Sequence, residues 1–431
     1  MIKNNMRSKF YDYYIGGTSS EKKNFIWNMV GSMIFAGASM ILSLLIIRIV
    51  GENEGGIFAI AITVAQMLAF IEYYETRTYQ VTDTKETYCF GEYKATKTIL
   101  FIIAIIVSIL YSLNKGHMDL YKCMVIILMC IYRFIDAYAD LYEGAFQKDG
   151  RLDLTGKSQA FRTIFSVGVM LVILVLTKNM IISIVCAIIS ALIGLVIFDV
   201  IPMKLFRKIT TVWNMNALLG ILKNCFPLFV GSFLWSYILS ASRISVDANM
   251  TSNFSAYFQT IFMPVSIVNL FATFVMKPAL TKLTEQYSFQ DVRPFIVYAL
   301  KIVFLIIVFS VISVLGAYFF GVPILQILTG VSLIKYKFAF IILMCSGGLN
   351  ALSYFGYYIL TIMRKSNSII GGYVVASIVA KVANDFFVVK YGIIGAAYGF
   401  LSSVAVLFTI FYVSIVINLI KKFEKHILMK V

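Results

Sequence analysis

The sequence predicts an all-α polytopic membrane protein of about twelve transmembrane helices, divided six and six. Three observations carry this reading. Of the 431 residues, 60% are hydrophobic and only 13% charged, whereas soluble domains are about 25% charged. Apolar windows of roughly twenty residues, the length that crosses a hydrocarbon core about 30 Å thick, recur along nearly the whole chain. The stretch WNMNA, following Ile201 and Pro202, is the polar break near mid-chain.

In order, the apolar windows lie near 24–50, 56–73, 96–113, 122–142, 158–176 and 180–201, then 217–242, 254–276, 295–319, 337–362, 369–389 and 394–419. The N-terminal segment 1–23 is polar and basic. The apolar run that follows it is long and has no small-residue cleavage site, so it reads as a retained first helix. The division is therefore a cytoplasmic segment 1–23, a first bundle 24–201, a cytoplasmic linker 202–216, a second bundle 217–419 and a basic tail 420–431. Val30-Gly31-Ser32 and Val230-Gly231-Ser232 fall early in the first helix of each half, a short hint of repetition. Lys and Arg collect on the side that holds both termini, at Lys22, Lys23, Arg77, Lys97, Arg207, Lys208, Arg364, Lys421 and others. By the positive-inside rule both termini are cytoplasmic and the chain is a multi-pass protein of the inner (cytoplasmic) membrane.

The formal charge of +16 is spread in short clusters between apolar runs, with no basic domain of the kind nucleic-acid binding requires. The six cysteines form no CxxC pair and read as packing residues. His117 and His426 are far apart, so no histidine triad or metal cluster is expected. The string 150–158 ends in GKS but has the wrong spacing for a phosphate-binding loop and no preceding strand. Glu52 and Glu54 make an acidic pair in a short outer loop and read as solvated carboxylates. No catalytic residue and no cofactor is expected.

Charge inside a bilayer is expensive and usually faces a cavity or a partner. Arg133, Asp136, Asp140 and Glu143 are spaced three, four and three apart and share one helical face. Either they line a polar lumen, or Arg133 pairs with Asp136 while Asp140 and Glu143 sit at the cytoplasmic interface. Arg162 either offers its guanidinium to a phosphate or snorkels to the cytoplasm. Lys381 and Asp385, four apart, suit a same-helix ion pair or a substrate or cation site. Arg48 and Arg243 lie at the outer ends of the first and seventh helices, as interface anchors or as an anion-attracting rim. Lys301 snorkels. Pro227 and Pro264 lie inside helices, as kinks for bending or for static packing. Gly347-Gly348, Gly371-Gly372 and Gly395 with Gly399 are close-packing surfaces.

Several strings resemble the polysaccharide flippases of the multidrug/oligosaccharidyl-lipid/polysaccharide (MOP) superfamily. They are NFIWNMVGSMIFAG, RIVGENEGGIF, RTYQVTD, DLYEGAFQKDGRLDLTGKSQAFR and SAYFQTIFMPVSIVNLFATFVMKPALTKL. The resemblance implies two six-helix bundles around a central cavity with alternating access. It implies transfer of undecaprenyl-pyrophosphate-linked oligosaccharide repeat units to the outer leaflet, for O-antigen (lipopolysaccharide) or capsule. Arg133, Arg162, Lys381 and Arg48 become the expected substrate-binding residues, and Asp136, Asp140 and Asp385 the expected ion-coupling residues. The lipid-linked oligosaccharide and membrane lipids are the expected partners, with a polysaccharide polymerase and a chain-length regulator beside them. Three alternatives stay open: a drug or metabolite exporter of the same superfamily, a membrane polymerase or ligase of the same pathway, and a scaffold for its assembly. The enzymes would need a long outer loop, and the longest expected here is 320–336.

Overall fold

The computed structural model describes residues 11, 14–16, 19–83, 85–114, 119–288 and 293–428, without the side chains of 114, 270, 272–278, 281, 288 and 423–428. Its helices are α1 (Glu21–Val50), α2 (Glu52–Tyr73), α3 (Thr76–Thr82), α4 (Phe90–Asn114), α5 (Leu120–Lys148), α6 (Leu152–Thr177), α7 (Met180–Leu195) and α8 (Ile201–Phe206). They continue as α9 (Met215–Asn249), α10 (Ser252–Ser288), α11 (Arg293–Gly316), α12 (Val322–Thr329), α13 (Lys337–Ile362) and α14 (Ser366–Leu428). No strand occurs among the described residues. Nine helical stretches among the described residues are long and apolar enough to cross a membrane. α5 is long enough too, but it carries the charged stripe.

Local chemistry sets the helix ends. The Ser20 hydroxyl accepts from the Lys23 N–H at 3.2 Å and caps α1. Glu52 and Glu54 fall in the first turn of α2, where carboxylates complement the helix dipole. At the start of α4, the Cys89 N–H donates to Glu92 Oε2 at 2.9 Å, half of a capping box. α14 breaks at Gly392, whose φ of 59° belongs to glycine, and so divides the run that the sequence assigns to two helices. The expected loop 320–336 is mostly helical: a π-helical turn (Ala317–Gly321), α12 and a 3₁₀ turn (Ile334–Tyr336) occupy it. The connection expected to be the longest outer loop is thus largely helix.

The chain forms two compact units, Met1–Phe233 and Leu234–Val431. The division falls within α9, later than the linker expected at 202–216. Residues 208–214 are non-helical and belong to the first unit. The Val212 N–H donates to the Gly91 carbonyl (3.1 Å), Lys94 Nζ to the Ile209 carbonyl (3.0 Å) and Asn214 Nδ2 to Glu92 Oε1 (2.9 Å). These bonds tie the connector to the start of α4.

In the first unit α2 is the buried centre, enclosed by α1, α4 and α5. Ile57 through Ala65 are all buried, an all-round apolar surface that fits a helix surrounded by others. α1 packs on α6 so closely that a Cβ at Gly156 would lie 2.0 Å from the Trp27 carbonyl oxygen. The GKS-like string is thus the first turn of a helix whose glycine serves packing. In the second unit α13 is the centre, packed by α10, α11 and α14. Gly348 meets Ser310 and Gly372 meets Phe411, whereas Gly371 faces open space.

Candidate functional site

The charged stripe of α5 does lie on one face, and that face turns inward. Asp136, Asp140 and Glu143 are buried. Arg133 donates to Asp136 Oδ2 at 3.3 Å and stacks over the Phe35 ring at 4.5 Å. Asp140 and Glu143 take Arg77 of α3, whose Nη1 lies 2.8 Å from Asp140 Oδ1 and 3.0 Å from Glu143 Oε2. The rest of the Arg77 fork donates to Gln147 Oε1, at 3.1 and 2.9 Å.

Arg162 neither snorkels nor offers a free guanidinium in this conformation. It is 1% exposed. Its Nε donates to Asp136 Oδ1 (3.1 Å), its Nη2 to Glu143 Oε1 (2.9 Å) and its Nη1 to Asp199 Oδ2 (2.7 Å) and the Ser158 hydroxyl (3.0 Å). Burial in low dielectric excludes an unpaired cation here, and three carboxylates meet the requirement. Gly194 on α7 leaves room for the stem: a Cβ there would sit 3.1 Å from Arg162 Cγ.

Asp199 reaches this network from a π-helical turn, Val196–Val200. A π turn displaces backbone carbonyls from the α-helical ladder. Two of those carbonyls are satisfied by the N-terminal segment: Tyr11 donates to the Ile197 carbonyl and Tyr14 to the Phe198 carbonyl, each at 3.2 Å. Tyr11 and Tyr14 are both buried, so these two side chains pack on the first bundle. The lysine and serine of the GKS-like string are consumed locally. Lys157 Nζ donates to the Tyr14 carbonyl and the Ser158 hydroxyl to Asp199 Oδ1, each at 2.5 Å.

A second buried pair lies between α2 and α4. Lys97 Nζ donates to Glu72 Oε2 (3.0 Å), the Glu72 carbonyl (2.9 Å) and the Ala137 carbonyl (2.9 Å). Both side chains are fully buried.

In the second unit, Lys381 and Asp385 pair at 2.8 Å along α14, and the Ser245 hydroxyl donates to Asp385 Oδ1 at 3.0 Å. The same-helix pair is therefore present. Arg48 is exposed in the last turn of α1 and Lys301 is exposed on α11. Arg243 lies six residues before the end of α9, against Gln259 and Phe262 of α10.

The structure brings together Arg133, Asp136, Asp140 and Arg162, and keeps Arg48 apart from them. Sequence reasoning missed Arg77, Glu72, Lys97 and Asp199. Arg77 and Lys97 were absorbed into the count of interfacial charges, although both are committed to buried carboxylates. Asp199 carried a usable signal, being the one charge between Met180 and Met203. Among the described residues, no group of three or more metal-type side chains is assembled. His117 lies outside the described residues, as does the side chain of His426. Glu54 accepts from Tyr121 at 2.5 Å beside an open cleft of about 460 Å³ lined also by Lys178 and Asn179, an ordinary interfacial arrangement.

No family model matches the chain. It is 24% identical over 312 residues, 72% of its length and 77% of the relative's, to the capsular polysaccharide biosynthesis protein CapF of Staphylococcus aureus. It superposes on an inward-facing multidrug resistance MATE family transporter of the MOP superfamily with a TM-score of 0.65 at 11% identity, covering 95% of this chain and 97% of that one. An outward-facing MATE family transporter of that superfamily gives 0.58 at 10% identity, covering 95% and 98%. The chain is an all-α polytopic membrane protein, and it has the MATE-like, two-bundle fold of the MOP-superfamily transporters.

Proposed function

We propose that the chain is a flippase that carries polyprenyl-pyrophosphate-linked oligosaccharide repeat units across a bacterial cytoplasmic membrane, for capsular or O-antigen polysaccharide. The observation that carries this reading is a likeness to a capsular polysaccharide biosynthesis protein over 72% of the chain, on a fold that solved transporters share over 95% of it. Such a carrier needs only to shield sugar and pyrophosphate from hydrocarbon while the polyprenyl tail stays in lipid. Termini on the cytoplasmic side, as the Lys and Arg distribution favours, put the loading side where repeat units are made.

The ion pairs suggest how coupling would work. Arg133, Arg162 and Lys381 are neutralised by Asp136, Glu143, Asp199 and Asp385. A substrate anion gains these cations only by displacing carboxylates. A proton or sodium ion taken by Asp136 or Asp385 would release Arg133 or Lys381 to the substrate, and one taken by Asp140 would loosen Arg77; differential affinity of this kind shifts a two-state equilibrium. The network also stiffens the first bundle, which suits rigid-body rocking.

The test is a deletion strain in which lipid-linked repeat units are assayed by leaflet. Accumulation on the inner leaflet with loss of surface polysaccharide is expected. Accumulation on the outer leaflet assigns the chain to polymerisation or ligation and ends the flippase reading. The superposed multidrug transporters favour one second reading, an exporter. Altered drug sensitivity with normal surface polysaccharide would establish it.

A further inference from the structure

Three of the arginines held within the helical bundles are matched: Arg77, Arg133 and Arg162 each have a carboxylate oxygen within 4.0 Å. Arg243 has none among the described residues. It is a part-buried residue of α9, six residues before the helix ends at Asn249, about 9 Å along the axis. A guanidinium has five N–H donors. Arg243 spends two, on Gln259 Oε1 and on the Leu239 carbonyl, and both bonds are long at 3.3 Å. Its Nε is buried and has no acceptor. The plane stacks on Phe262, 4.8 Å from the ring centroid, which orients the fork without neutralising it. The hydroxyl of Ser242, the preceding residue, is buried without a partner as well.

A part-buried cation whose Nε has no acceptor, and which has no carboxylate within 4.0 Å among the described residues, is short of partners in a resting fold. It gains once an oxyanion presents two oxygens to the fork in bidentate fashion, as a phosphoryl group can. We infer that Arg243 is the anion-binding residue of the second unit, and that its ligand is a diphosphate ester. The identification of the anion as a lipid-linked diphosphate rests on the flippase reading; the anion site rests on the geometry alone. Of the cations singled out in the sequence as substrate ligands, Arg133, Arg162 and Lys381 are paired with carboxylates, whereas Arg243 needs no carboxylate displaced before it binds.

The test measures binding to the purified full chain in nanodiscs by thermophoresis, with farnesyl pyrophosphate, farnesol and inorganic pyrophosphate as probes. Wild type is expected to bind farnesyl pyrophosphate more tightly than farnesol. Arg243→Gln should weaken the pyrophosphate lipid by at least about tenfold, about 1.4 kcal/mol, and leave farnesol unchanged. Arg243→Lys, which keeps the charge but loses the fork, should lose less, roughly threefold. Where the glutamine variant does not fold, the lysine variant carries the test. Equal binding of the pyrophosphate lipid by wild type and a folded variant overturns the inference. So does a wild type that does not distinguish it from farnesol. Inorganic pyrophosphate binding as tightly as the lipid overturns the lipid assignment and supports a free-anion site. Arg243-dependent binding in a protein whose deletion leaves both leaflets unchanged would sink the flippase reading and keep the site. Leaflet accumulation without Arg243-dependent binding would do the reverse.

Discussion

Replacing Arg162 with leucine tests whether the ionic network holds the first bundle together. The side chain faces three carboxylates, at 3.1, 2.9 and 2.7 Å, and a naive sum would assign it three buried ion pairs. The structure gives a smaller figure. Asp136 retains Arg133, and Glu143 retains Arg77. Only Asp199 loses its one cation and is left with the Ser158 hydroxyl. The expected destabilisation is therefore that of one uncompensated buried charge, about 3–5 kcal/mol. At about 2–4 °C per kcal/mol for a unit of roughly this size, the melting temperature should fall by roughly 6–20 °C. Thermal melting of purified protein in detergent, followed by size-exclusion recovery, reads this shift. Adding Asp199→Asn removes the stranded charge and should recover most of the loss. A shift below about 2 °C for Arg162→Leu, less than 1 kcal/mol, would refute the reasoning. So would a double variant no more stable than the single one.

Gly156→Ala puts a methyl group against the Trp27 carbonyl oxygen, where a Cβ would be 2.0 Å away. It should separate α1 from α6 and cost about 1–3 kcal/mol, seen as lower Tm and lower yield; Gly231→Ala, which meets nothing within 4 Å, is the matched control. Lys97→Met strands Glu72 in a fully buried site and should destabilise by about 3–5 kcal/mol. Lys97→Met with Glu72→Gln should be markedly more stable than Lys97→Met alone in the same melt. Asp83, outside the membrane-spanning helices, is held below the usual carboxylate range. Burial pushes its pKa up, but the Thr87 and Tyr88 N–H groups, at 3.0 and 3.1 Å, outweigh it. A depressed folded pKa contributes stability that is present above the unfolded value of about 3.9 and lost as pH falls through the folded one. Asp83→Asn should therefore lower Tm at pH 7 by the equivalent of about 1 kcal/mol. The gap between wild type and variant should close only below about pH 4, and a gap that closes near neutrality would contradict this.

The sequence by itself determined the membrane character and the position of most of the long helices, because a bilayer demands long apolar runs whatever their neighbours are. It also determined that Arg133, Asp136, Asp140 and Glu143 share a face, since helical periodicity is local. It could say that Lys381 and Asp385 are within reach of one another for the same reason. It did not determine which charges neutralise which. Arg77 and Asp140 are 63 residues apart, and Arg162 and Asp199 are 37. Spacing along one helix carries no information about the face another helix presents. The π turn that aims Asp199 inward, the tyrosines that satisfy its carbonyls and the glycine contact that brings α1 onto α6 are likewise products of packing. Tertiary structure alone decided that the stripe on α5 is spent on arginines, and that Arg243 has no carboxylate within 4.0 Å among the described residues. The physical reason is that burial makes every unpaired charge costly, and only the assembled bundle specifies which side chains are close enough to meet that demand.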